Sequence, residues 1–227
     1  MDAGVKCAVK IKTLRALALH CCWLLSSAAV ESVGAEATNL REFIFEYNSD
    51  SGPDSDSDSE DGENNKFLCN FGVLSKLTEL RVLLIQGCFI QDTSLVELCQ
   101  SLKHLEVLNL HNSKFTDEAL SSIHELTSLM KIDLTECTGL SKKCMVYLST
   151  HQSLREIVFS GNIRSADYDN LNFIPTLDTI YVIGRNSHRH ERKTYAILKV
   201  LCATARWKLQ VNQHGDYDHY ILTYCDC

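Results

Sequence analysis

A nine-residue pattern repeats along this chain at a nearly constant interval, and that regularity constrains the fold more than any other feature. Leu80-x-x-Leu83-x-Ile85-x-x-Cys88 recurs as Leu105-x-x-Leu108-x-Leu110-x-x-Ser113, as Leu129-x-x-Ile132-x-Leu134-x-x-Cys137 and as Leu154-x-x-Ile157-x-Phe159-x-x-Asn162. A shorter copy, Leu177-x-x-Ile180-x-Val182, follows. The fourth positions, 83, 108, 132, 157 and 180, lie 25, 24, 25 and 23 residues apart. Toward the N-terminus the pattern returns as Leu40-x-x-Phe43-x-Phe45-x-x-Asn48 and, 26 residues earlier, as Leu14-x-x-Leu17-x-Leu19-x-x-Cys22. The gap from Phe43 to Leu83 is 40 residues, longer than a unit by about one acidic insertion. A fixed period of this size is the signature of stacked units.

Elementary geometry says what each unit is. Leu83-x-Ile85 alternates with period two, which predicts a strand whose apolar side chains point inward. The stretch that follows predicts an amphipathic helix, with Leu95, Leu98, Cys99 and Leu102 on one side in one unit and Leu120, Ile123 and Leu126 in the next. Neither element can bury its apolar face alone, so units must stack into one continuous core. Cys or Asn at the ninth position turns inward, where it can satisfy backbone groups of the bend.

These residues resemble the leucine-rich repeat family, whose signature is L-x-x-L-x-L-x-x-N/C-x-L. The period near 25 and the cysteines at positions 22, 88 and 137 look like the ribonuclease-inhibitor-like and cysteine-containing subclasses. Phe89-Ile90-Gln91-Asp92 and Lys114-Phe115-Thr116-Asp117 resemble the latter's turn into its helix. The resemblance covers about residues 14–185. It implies an α/β solenoid bent into a horseshoe arc, with parallel strands on the concave face and helices on the convex face. The expected organisation is a repeat region over 1–185 with about seven units, interrupted at 49–64, and a divergent capping unit over 186–227. In the latter, 191–206 reads as a helix with Ile197, Leu198, Leu201 and Cys202 on its apolar side, and 207–211 and 220–224 read as strands.

Two features bear on the compartment. Lys6, Lys10, Lys12 and Arg15 precede an apolar stretch over 16–30, as in a secretory signal. The repeat register, which places Leu14, Leu17 and Leu19 in a first unit, favours a structural reading of the same residues. Eleven cysteines is an odd number, and most are read at regular repeat positions, which points to reduced, buried thiols and a cytoplasmic or nuclear location. No apolar run reaches the roughly 20 residues of a membrane span.

Function is expected on the concave face. Strand positions between the buried ones face outward there: Ala18 and His20, then Ile44, Glu46 and Tyr47, Leu84 and Gln86, and Asn109, His111 and Asn112. Later units add Lys131, Asp133, Thr135 and Glu136, then Val158 and Ser160, then Tyr181 and Ile183. Leu84, Val158 and Tyr181 would supply apolar anchoring, and Gln86, Asn109, His111, Lys131, Asp133 and Glu136 a polar rim, as in a protein interface. A non-enzymatic protein-binding module is the reading these positions support, with a partner whose identity they do not give. No cofactor is called for.

Charge and motifs narrow the rest. Seven of the 29 acids fall within 49–64, which holds no base, and the other 22 match the 22 Lys and Arg. The balance elsewhere argues against a broad nucleic-acid surface. The acidic insertion predicts a disordered loop, and Ser51, Ser55 and Ser57, each with an acid three positions on, suit an acidophilic kinase. His188-Arg189-His190 and Cys225-Asp226-Cys227 lack structural-zinc spacing, and no phosphate-binding loop, nucleophile elbow or zinc-protease motif is present. The resemblance also leaves four other uses open: a substrate receptor of an F-box ubiquitin ligase, though no F-box is recognisable ahead of the repeats; a GTPase-activating relative; a scaffold subunit of a larger assembly; and a secreted or surface repeat protein.

Overall fold

The computed structural model describes residues 2–22, 24–47, 67–160, 168–185, 207–214 and 217–224. Each unit runs from a strand through a turn to a helical return, and the strands line up in one sheet. In chain order the elements begin with helix α1 (Asp2–Ala8), strand β1 (Ala16–Leu19), helix α2 (Ser27–Glu36) and strands β2 (Glu42–Glu46) and β3 (Phe67–Leu68). Strands β4 (Val82–Gln86) and β5 (Cys88–Phe89), helix α3 (Asp92–Ser101) and strands β6 (Val107–Asn109) and β7 (Lys131–Leu134) follow. Helix α4 (Lys143–Ser149) precedes β8 (Glu156–Ser160), β9 (Thr179–Arg185), β10 (Trp207–His214) and β11 (Tyr217–Tyr224). The main sheet has the order β1-β2-β4-β6-β7-β8-β9-β11-β10, in which the first seven strands are parallel neighbours.

The repeat leucines set that register. Leu17, Phe43, Leu83, Leu108, Ile132, Ile157 and Ile180 are Cα partners across consecutive strands. From Phe43 to Ile180 all six are essentially without exposure and pack against the helical layer in one core. The molecule is thus an α/β leucine-rich-repeat solenoid, with the sheet on one face and helical returns on the other.

The helical layer departs from the sequence expectation. Leu95, Leu98 and Cys99 lie buried in α3 as expected, but 117–126 forms two short 3-10 helices, Asp117–Leu120 and Ile123–Glu125, in place of one amphipathic α-helix. Other units explain why. Returns of 26, 25 and 25 residues contain α2, α3 and α4, whereas the returns of 24 and 23 residues contain 3-10 helices, the latter over Tyr168–Phe173. The unit from Phe43 to Leu83, with its 16-residue insertion removed, also has 24 residues and also uses a 3-10 helix, Phe71–Lys76. The distance to be recrossed is fixed by strand spacing. A 3-10 helix advances about 2.0 Å per residue against 1.5 Å for an α-helix, so a shorter return spans it in the more extended form.

Inter-unit polar contacts repeat with the same interval. Asp92 accepts from the backbone N–H (2.9 Å) and hydroxyl of Thr116, and Asp117 accepts from the backbone N–H (2.9 Å) and hydroxyl (2.6 Å) of Ser141. Asp2 does the same for Ser26 at the β1 end of the array. At the ninth position the Cys88 thiol donates to the Gln86 carbonyl (3.2 Å), the Cys137 thiol to that of Leu110 (3.0 Å), and the Ser113 hydroxyl to that of Ile85 (3.1 Å).

The C-terminal hairpin has longer strands than the sequence reading. Strand β10 extends to His214 and β11 begins at Tyr217, and it is β11 that pairs with β9, antiparallel, leaving β10 outermost. The helix expected over 191–206 lies outside the described residues.

Two predictions follow from this layer. Inserting one alanine between Ser121 and Ser122 lengthens the 24-residue return to 25 and is expected to convert the paired 3-10 turns to α-helix. The far-UV circular dichroism of the variant should then show a deeper helical band; an unchanged spectrum would reject the length rule. The second concerns His151, which is buried. It stands 3.0 Å from the Leu126 carbonyl through Nε2 and accepts the Ser153 N–H at Nδ1 (3.2 Å), so the ring is held as the neutral Nε2–H tautomer. Burial, aided by the charge of His124 and opposed by the Leu126 contact, pushes its pKa below the usual value. Below about pH 6.5 the unfolded chain binds a proton that the folded ring refuses, so stability falls as pH drops through that value and is retained above it. Chemical denaturation at about pH 7.5 and 5.5 should show this loss, and His151→Gln should flatten it.

Candidate protein-binding surface

The outward side of the sheet forms three rows across the strands. The first contains Glu42, Val82, Val107, Lys131 and Glu156, which are successive Cα partners. The second contains Ala18, Ile44, Leu84, Asn109, Asp133, Val158 and Tyr181. A third follows the strand ends, with His20, Glu46, Gln86 and His111. The burial alternates along the strands, with Phe43, Phe45, Leu83 and Ile85 fully inside and Ile44, Leu84 and Gln86 half-buried between them, so the row residues face away from the helices.

All nine residues expected at the binding face lie on this side: Leu84 and Gln86 on β4, Asn109 and His111 at β6, Lys131, Asp133 and Glu136 at β7, Val158 on β8 and Tyr181 on β9. The polar ones are held by one another. Asp133 accepts from the Asn109 amide (3.3 Å) and the Thr135 N–H (2.8 Å), while the Asn109 oxygen accepts the His111 N–H (2.9 Å). His111 Nε2 stands 3.8 Å from Glu136, and His20 Nδ1 stands 2.6 Å from Glu46. Lys131 pairs with Glu156 and also stands 5.9 Å from the Tyr181 ring centroid.

That last contact corrects one expectation. Val158 is not an exposed anchor: it is only 7% exposed. Lys131 on β7 reaches Tyr181 on β9 across the intervening strand, and Val158 lies on that strand in register with Asp133 and Tyr181. Thr135 and Ser160, also expected outward, are buried as well. Tyr47, also expected outward, packs instead against the core, its ring 5.3 Å from that of the buried Phe67.

The sequence reading missed Val82 and Val107. Both are half-buried, are register partners, and adjoin Ile44 and Leu84, so four aliphatic side chains make one apolar area over β2, β4 and β6. They precede the inward leucine of their motif, where a β-branched residue reads only as a strand former. Their outward side follows from the same alternation that buries Leu83 and Leu108. Ser51, Ser55 and Ser57, His188, His190, Cys225 and Cys227 lie outside the described residues. Among the described residues no three His, Cys, Asp or Glu side chains group as a metal site, and no helix is long and apolar enough to cross a membrane.

No known family model and no curated protein matches this chain in sequence. Among solved structures, the tropomodulin C-terminal domain of Caenorhabditis elegans aligns at 11% identity and a TM-score of 0.42, covering 89% of this chain and 98% of that one. The yeast Rad7 and Elc1 complex aligns at 14% and 0.36, and an internalin of Listeria monocytogenes at 15% and 0.40. They cover 79% and 80% of this chain, which spans 65% and 62% of theirs. At these values the fold assignment rests on the repeat and its strand register.

A left-handed position closes four of the strands, β1, β4, β6 and β7, one residue before the inward Cys or Ser. Cys21 (φ 52°), Gly87 (70°), Asn112 (51°) and Glu136 (57°) occupy it. A Cβ on Gly87 would meet the Tyr47 carbonyl oxygen at 2.1 Å. Gly87→Ala should therefore destabilise the fold by about 2–4 kcal/mol, because backbone strain and a backbone clash add. Glu136→Gly, which relieves the same conformation, should stabilise it by about 0.5–1 kcal/mol. Urea unfolding of the two variants measures both signs.

Proposed function

We propose that this chain is a non-enzymatic protein-recognition module that binds a partner protein through the concave face. The observation that carries the reading is the apolar area of Ile44, Val82, Leu84 and Val107 enclosed by Glu42, Glu46, Gln86, Asn109 and Lys131. An apolar centre with a polar rim is how protein interfaces are built. Fixed rim side chains, such as Asn109 held by Asp133, bind at a lower entropic cost than free ones. The ninth-position thiols of Cys22, Cys88 and Cys137, each donating to a carbonyl of the bend, support membership of the cysteine-containing subclass. Burial pushes the Cys69, Cys99 and Cys144 thiols up to about 12, and these free, unreactive cysteines support a reducing compartment, cytoplasm or nucleus. Phosphorylation of Ser51, Ser55 or Ser57 would add negative charge to the acidic segment and is the regulatory part of the proposal.

Leu84→Asp combined with Lys131→Glu tests the concave reading. Proteins crosslinked to the wild-type chain in its own cells are identified by mass spectrometry and compared with those of the variant, whose unfolding midpoint is measured in parallel. Loss of specific partners, with the midpoint retained, is the expected result. An unchanged partner set would reject the concave face.

A further inference from the structure

We infer that the concave face takes a basic amphipathic helix of the partner, laid along the strands with its apolar side on Val82, Leu84 and Val107. This rests on the reading above and names the class of ligand. Charge is the first argument. Between β2 and β9 the described outward positions carry Glu42, Glu46, Asp133, Glu136 and Glu156 against Lys131, and Lys131 is already engaged by Glu156 and Tyr181. The remaining field is negative and attracts cations.

Shape is the second. Glu42 and Glu46 stand on β2 and Asp133 on β7, three strand spacings or about 14 Å apart, with the apolar area between them. A helix is about 10–12 Å across, so its sides would meet the two acidic borders while its underside covers the valines and Leu84. The strands offer about 17 Å of length, which is about eleven helical residues.

Backbone chemistry favours a helix over the extended alternative. Strands β2, β4, β6 and β7 are hydrogen-bonded on both sides within the sheet, so they have no open edge to extend. An extended segment laid across them would leave its own N–H and C=O groups unpaired, whereas a helix arrives with them satisfied. The ends also differ in sign. Arg41 lies at the start of β2 and Arg81, paired with Glu106, at the start of β4, while Glu46 and Glu136 lie at the far ends of β2 and β7. The helix dipole then sets the direction, with the partner's N-terminus over Glu46 and Glu136.

The probe is a fluorescent peptide of about 14 residues built from leucine and lysine, with leucine at i, i+3, i+4 and i+7. One control replaces every lysine with glutamate, and another scatters the leucines around the helix. Anisotropy titration should show the basic amphipathic peptide binding at least about tenfold tighter than either control, with helix appearing in its circular dichroism. Leu84→Asp, and separately Glu42→Lys with Glu46→Lys, should each weaken it at least about fivefold, and added salt should weaken it further. Equal binding of the glutamate peptide, or affinity indifferent to Leu84→Asp, would overturn the inference. If crosslinked partners depend on Leu84 but the basic peptide does not compete with them, the helix inference falls while the concave reading stands. If the partners are indifferent to Leu84, the concave reading falls first.

Discussion

Everything in this molecule depends on the parallel register between units. A parallel strand obtains its hydrogen bonds only from neighbours that are distant in sequence, so no unit has a stable sheet by itself. The ladder starts before the strands do: the Arg41 carbonyl accepts from both Arg81 and Val82, the Arg81 carbonyl from Glu106 and Val107, and the Glu106 carbonyl from Met130 and Lys131. It continues past them, with Tyr47 donating to Gln86, Gly87 to His111 and Asn112 to Thr135. Register fixes where each strand begins and ends, so the return path has a set length, and the number of residues available decides whether it is crossed as α-helix or 3-10 helix.

That dependence explains what was legible in the sequence. The strands were legible because their signal is local: Leu83 and Ile85 are apolar, Leu84 and Gln86 alternate with them, and period two has only one meaning. Buried leucines in α3 were legible for the same reason. The 117–126 segment was not, because Leu120, Ile123 and Leu126 satisfy both helical periods. What distinguishes them is one residue fewer between Leu108 and Ile132, a global length condition that no local window contains.

The candidate surface divides in the same way. Row membership of Asn109, Lys131, Asp133 and Tyr181 followed from alternation alone. Whether each stands free did not, because that is decided by the side chains on the neighbouring strands. Val158 has the same residue type and alternation as Val82, yet it is only 7% exposed between its register partners Asp133 and Tyr181, while Val82 and Val107 remain half-open. The sequence shows which side a residue takes, and cross-strand packing shows whether a partner can reach it.

The left-handed column at the strand ends links stability to this surface. Gly87 holds that conformation without strain, and Asn112 tolerates it through its short polar side chain. Cys21 and Glu136 do not, and each costs the fold on the order of 1 kcal/mol. Both strained residues border histidine–carboxylate pairs, Cys21 next to the His20–Glu46 pair and Glu136 within its own pair with His111. A glycine at 136 would serve the fold better and would remove a carboxylate from one end of the apolar area. The side chain that the backbone least favours is therefore one that the proposed basic partner would use, and the strain at that point is what a binding role for Glu136 would account for.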